Sequence, residues 1–158
     1  MKDSSLQKHL LNLLNFEGAH MGFDEAVRGF APKLRGKKIR GAPHTAWQLV
    51  EHMRIAQWDI LEFSRDAKHV SPKFPEGHWP KSYAPPSEAA WKKSLASFRH
   101  DLEEMKKLVA QADEEKLYAP IPHGDGQTLL REALLVADHN SYHLGQLVML
   151  RKMLGAWK

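Results

Sequence analysis

Asp138-His139-Asn140-Ser141-Tyr142-His143-Leu144-Gly145-Gln146-Leu147 is the stretch on which the fold turns. Read at helical period, His139 and His143 stand one turn apart on a single face. Leu135, Val136, Gln146 and Leu150 share that face, and Tyr142 lies on its edge. It is an apolar face and therefore one that packs inward. Imidazoles buried among leucines are costly unless their nitrogens find partners. A shared metal ion supplies one partner to each ring; carbonyls, waters or carboxylates would serve as well. The chain has ten histidines, and in such a chain a pair at this spacing arises by chance about half the time. The pair alone therefore decides little.

Outward from this stretch the chain reads as helices joined by loops rich in proline and glycine. Thr128 or Asp125 opens the last helix, which runs to about Leu154, and Gly155 is a suitable stop. The loop before it, Tyr118 to Gly126, holds Pro120, Pro122, Gly124 and Gly126. Further upstream, Ser87 caps a helix whose apolar seam is Trp91, Leu95, Phe98, Leu102, Met105 and Val109. The segment from Ser71 to Pro86 contains five prolines and cannot be regular helix. A connection of that length is unusual and often marks functional or partner-contacting surface.

The helix before that loop begins at a capping box, Thr45 with Gln48, and runs to about Asp66. Leu49, Met53, Ala56, Ile60 and Phe63 form its main stripe, with Trp47, Val50 and Leu61 alongside. His52 lies in that arc and points inward. The first helix begins near Ser4, paired with Gln7 at capping-box spacing, and carries Leu6, Leu10, Leu13 and Leu14. Gly18 and Gly22 end it, and a short piece follows from Asp24 to Phe30. Four main helices without a strand pattern predict an all-α protein, a four-helix bundle formed as a single domain over residues 1–158. Two helices facing one core can bring His52, His139 and His143 to a point. Three imidazoles around an ion would leave a coordination position open, as catalytic zinc sites do.

Composition narrows the chemistry. The 158 residues include no cysteine, which removes disulfides, thiolate metal sites and a cysteine nucleophile. Any thiol must come from outside. The net charge is +4, and part of the excess sits in Lys33-Leu34-Arg35-Gly36-Lys37-Lys38-Ile39-Arg40. No aromatic residue interleaves that run, so it reads as a solvated loop and not a nucleic-acid platform. No membrane span and no leader-like apolar block is present, and a cytoplasmic protein is expected. Ser141 turns away from the histidines on the wheel, so a hydrolytic triad is not supported.

Other polar residues stand near the histidines. Asp59 lies two turns beyond His52, and Glu132 about two turns before His139. Either would orient a histidine or act as a base, unless it serves only as a boundary carboxylate. Gln146 and Tyr142 accompany the histidines and suit hydrogen bonds to them or to substrate. His123, in Pro122-His123-Gly124-Asp125-Gly126, either overhangs the site or lies on the surface. His9, His20, His69, His78 and His100 read as surface or structural residues, His44 as part of a helix cap, and the tryptophans as core or dimer contacts.

Two motifs together carry a resemblance. His44-Thr45-Ala46-Trp47-Gln48-Leu49-Val50-Glu51-His52 resembles the second-helix signature of the DinB/YfiT-like family. The stretch from Asp138 to Leu147, continued by Leu150-Arg151-Lys152-Met153-Leu154-Gly155, resembles its last-helix signature. The resemblance implies up-down-down-up connectivity, often a homodimer, and a divalent metal ion, usually zinc or nickel. Its ligand positions fall on His52, His139 and His143. Some relatives join a low-molecular-weight thiol to an electrophile. A divalent-metal-dependent transferase activating a small thiol is therefore the expected function; the alternatives are a metal-dependent hydrolase and a non-catalytic helical dimer that binds metal or a small ligand.

Overall fold

Thr45 begins the most informative helix as its sequence dictates. Its hydroxyl accepts from the Gln48 backbone while the Gln48 side chain accepts from the Thr45 backbone, closing the capping box. In this computed structural model, which describes residues 5–157, six α-helices form and no strand is present among the described residues. They are α1 (Ser5–Leu14), α2 (Phe23–Val27), α3 (Ala46–Arg65), α4 (Glu88–Gln111), α5 (Glu114–Tyr118) and α6 (Leu129–Met153). Ser87 caps α4 as expected from sequence, and Thr128, one of the two candidates with Asp125, caps α6, both through side-chain oxygens. At the far end of α6, Gly155 takes the left-handed conformation at φ 65° that stops the helix. The expected cap at Ser4 lies outside the described residues.

α3 packs against both α4 and α6, and α1 packs against the same two helices. Met53 and Leu61 of α3, Phe98 and Met105 of α4, and Leu144 and Leu147 of α6 are fully buried where these helices meet. Each such side chain contributes about 2 kcal/mol through apolar burial. Gln7 ties α1 to the end of α4: its amide donates to the carbonyls of Val109, Ala110 and Ala112 at the helix end.

Two local readings need correction. The short helix expected from Asp24 to Phe30 spans Phe23–Val27, because Gly29 adopts a positive φ of 65° and turns the chain. The segment Glu114–Tyr118 forms α5, capped by Asp113, which the apolar pattern alone did not reveal. No helix among the described residues is long and apolar enough to cross a membrane.

The proline-rich connection between α3 and α4 folds back along α3. The Thr45 hydroxyl donates to the Tyr83 carbonyl at 2.6 Å, and the Trp47 indole N–H donates to Ser82 Oγ at 3.0 Å. Within this connection a 3₁₀ turn, Glu76–His78, carries the chain past the middle of α3. That course brings His78 and Trp79 to the histidines.

Candidate metal centre

His52 on α3 and His139 and His143 on α6 converge, with one ring nitrogen of each lying within 4.8 Å of the others. His52 Nε2 stands 3.1 Å from His143 Nε2 and 3.0 Å from His139 Nε2. Nitrogens bound about 2.05 Å from a tetrahedral ion stand about 3.3 Å apart. The cluster therefore has nearly the dimensions of a metal's ligand set.

The outer nitrogens decide what the inner ones offer. His52 Nδ1 lies 2.8 Å from the His78 carbonyl oxygen, and His143 Nδ1 lies 2.8 Å from Gln146 Oε1. Both partners only accept, so both Nδ1 atoms carry the proton and donate. His52 and His143 thus face each other with bare Nε2 lone pairs. His139 can satisfy at most one of them, and doing so leaves its own buried Nδ1 without a partner. Protein atoms alone do not resolve this meeting of acceptors, whereas a cation does.

Protonation is a poor remedy. Burial, together with the neighbouring imidazoles, pushes His52 down to about 4 and His139 to about 3. Burial also lowers His143, partly opposed by its bond to Gln146. The rings are therefore neutral near pH 7, the state in which imidazole binds metals.

Trp79 walls one side. Its indole lies parallel to the His52 ring at 3.8 Å between centroids and to the His44 ring at 4.0 Å on the opposite face. Tyr142 sets its ring edge-on to His143 at 4.9 Å and remains 65% exposed. Beside Tyr142 and Gln146 a cavity of about 430 Å³ opens between α6 and the loop that precedes α3.

The remaining candidate residues lie elsewhere. Asp59 does not reach the three rings; its carboxylate holds His69 Nε2 at 2.7 Å and His78 Nε2 at 3.1 Å. It acts on the cluster through His78, whose carbonyl holds His52. His78 itself, read from sequence as surface or structural, is only 9% exposed and is integral to the site's support. Glu132 is buried two turns from His139 and pairs with Arg131. His123 does not overhang the cluster. It bonds the Phe63 carbonyl at 2.6 Å, eleven residues along α3 from His52, or about 16 Å by helical rise. Ser141 bonds the Ala137 carbonyl and the exposed His20, away from the cluster.

Sequence reasoning missed the backbone carbonyl of His78 and the stacked Trp79. The only available signal was the long proline-rich loop, because neither contact leaves a spacing pattern in the chain.

Comparison with known sequences agrees with the geometry. No curated protein and no solved structure matches the chain. The sequence profile of the DinB superfamily matches residues 15–147, a span that holds all three converging histidines and the loop supporting them. The chain belongs to the DinB superfamily.

Proposed function

We propose that this chain is a divalent-metal-dependent enzyme that activates a small thiol and transfers it to an electrophile, with His52, His139 and His143 as the metal ligands and zinc or nickel as the ion. The observation that carries the reading is the meeting of three neutral imidazoles through unprotonated Nε2 atoms. A divalent ion at that point supplies Lewis acidity, lowering the pKa of a bound thiol or water. The His78 carbonyl and Gln146 hold two of the rings in the required tautomer, and Trp79 shields one face of His52 from water. The reading extends to one DinB-like domain over residues 1–158, a four-helix bundle of up-down-down-up connectivity, acting in the cytoplasm as a homodimer.

Among the described residues no carboxylate joins the three imidazoles, which favours thiol transfer over hydrolysis. Among the described residues Asp59 and Glu132 are both committed to other partners. A thiol starts near pKa 8.5 and needs only a modest shift to ionise at neutral pH, whereas water starts near 15.7 and is commonly assisted by a base.

The test is turnover of a chromogenic electrophile with a panel of small thiols by zinc-loaded protein. The proposal expects thiol-dependent product formation that falls at least tenfold after chelation and in His143→Ala. Equal rates with and without metal would refute it. Ester cleavage without thiol would identify the hydrolase instead, and stable metal binding with no turnover of either kind would identify a binder.

A further inference from the structure

The cavity beside the histidines contains no Lys, Arg, Asp or Glu in its lining. Ala42, Pro43, Leu49, Met149, Leu150 and Met153 supply an apolar surface. The polar groups, His44, Tyr142 and Gln146, gather at the side where Tyr142 and Gln146 touch His143. A largely apolar hollow with a few polar groups at one end is the usual form of a small-molecule site. Two flexible thioethers make its wall adaptable in shape.

Gly145 supplies a second, independent observation. It sits in the interior of α6, where glycine is destabilising relative to alanine. Nothing in the backbone requires it, since its φ is not positive. Nothing in the packing requires it either, since a Cβ built there meets no atom within 4 Å. Gly145 is exposed and lines the cavity, so the open space beside it is the hollow and the solvent above it. Its missing side chain keeps the hollow wide.

We infer that this cavity is the subsite for the electrophile, and that it takes an uncharged molecule with an apolar body, oriented with its reactive end toward His143. A volume of about 430 Å³, filled at the density of an organic liquid, accommodates roughly a dozen non-hydrogen atoms. An uncharged lining offers nothing to pair with a carboxylate, phosphate or ammonium group, whose burial there would be costly. The charged groups of a biological thiol must therefore be held outside it. Gly145 and Met149 determine the size of molecule accepted. This assignment rests on the three-histidine reading for the reaction, but the cavity's preference is measurable without turnover.

The test uses the neutral fluorophore 1-aminoanthracene on zinc-loaded protein, with hexanol, hexanoate and hexylamine as competitors and zinc content measured in parallel. The expectation is that the probe binds, that hexanol displaces it at least tenfold more effectively than either charged analogue, and that Gly145→Leu weakens probe binding at least tenfold while zinc content is unchanged. Gly145→Ala should bind within threefold of wild type. Met149→Glu alters a residue that is 61% exposed, so it spares folding, and by placing a charge in the apolar wall should weaken probe binding at least tenfold if Gly145→Leu does not fold. Equal displacement by the charged analogues, or undiminished binding by the variants, would overturn the assignment. So would a change in oligomeric state in Gly145→Leu, which would make this face a subunit contact. Probe binding in a protein that takes up no zinc would uphold the cavity and refute the metal reading; zinc uptake without probe binding would do the reverse.

Discussion

Along the seam between α3 and α6 the protein buries polar side chains in two ways. In one, Asn140 Nδ2 donates to Gln57 Oε1 at 2.8 Å, and Gln57 Nε2 donates to the Phe98 carbonyl at 2.7 Å. Donor meets acceptor, and both residues are 1% exposed. In the other, His52 and His143 bring acceptor to acceptor, with their donors turned outward to His78 and Gln146, and His139 can satisfy only one of them. The same two helices build both clusters, and His139 and Asn140 are neighbours in the chain. The amide pair matches donor to acceptor and stabilises the fold, leaving only the Asn140 Oδ1 without a partner. The histidine cluster is left incomplete by the fold, and that incompleteness is what suits it to a ligand from outside.

Removing a member of each cluster should separate these roles. Gln57→Ala opens a cavity and strands the Asn140 amide, so it should cost about 2–4 kcal/mol of stability by denaturant unfolding. Its zinc affinity should stay within a few-fold of wild type. In metal-free protein His139→Ala removes a ring that satisfies at most one of the two opposed acceptors and leaves its own Nδ1 unpaired, and should cost less than about 1 kcal/mol. A larger loss for His139→Ala than for Gln57→Ala would mean that the histidines are ordinary core residues.

The loop contact sharpens the comparison. Asp59 holds His78, and His78 holds His52. Asp59→Asn should therefore weaken zinc about tenfold in competition with a chelator, the scale typical of outer-sphere partners. Unfolding stability without metal should change little by comparison. Unaltered zinc affinity would show that the clamp does not reach the ligands.

Acid gives the smallest effect and still distinguishes the clusters. His52 moves from the ordinary 6.5 down to about 4, so between these values the unfolded chain takes up a proton that the folded chain refuses. Stability without metal should therefore be fully present above pH 6.5 and fall by about 1 kcal/mol per pH unit as the solution is acidified. The amides do not titrate, so Gln57→Ala should keep this slope while His139→Ala, which removes a second lowered histidine, should flatten it. Equal slopes in all three proteins would place the acid sensitivity elsewhere.

The helices were legible because their signals are local. Thr45 with Gln48, Ser87 and Gly155 each act within one turn and mark the boundary they were expected to mark, and of the two candidates Thr128 and Asp125 it is Thr128 that opens α6. The inward faces of α3 and α6 were legible through periodicity, which is why the three histidines stood out. What supports them was not. The His78 carbonyl belongs to the backbone and carries no residue signature. Trp79 stacks on His52 only because a long loop doubles back. Asp59 lies on nearly the expected face yet turns to two histidines from that loop. His123, which the sequence placed either over the site or on the surface, is exposed, because the loop carries it to the far end of α3.

The most direct test is the metal content of protein purified without a histidine tag or an immobilised-metal column, then equilibrated with zinc and passed through a desalting column. One divalent ion per chain in the wild type, and less than a tenth of that in His143→Ala, is the predicted result. A wild-type chain that retains no ion, or a His143→Ala variant that retains a full one, would contradict the assignment of these three imidazoles as a metal centre.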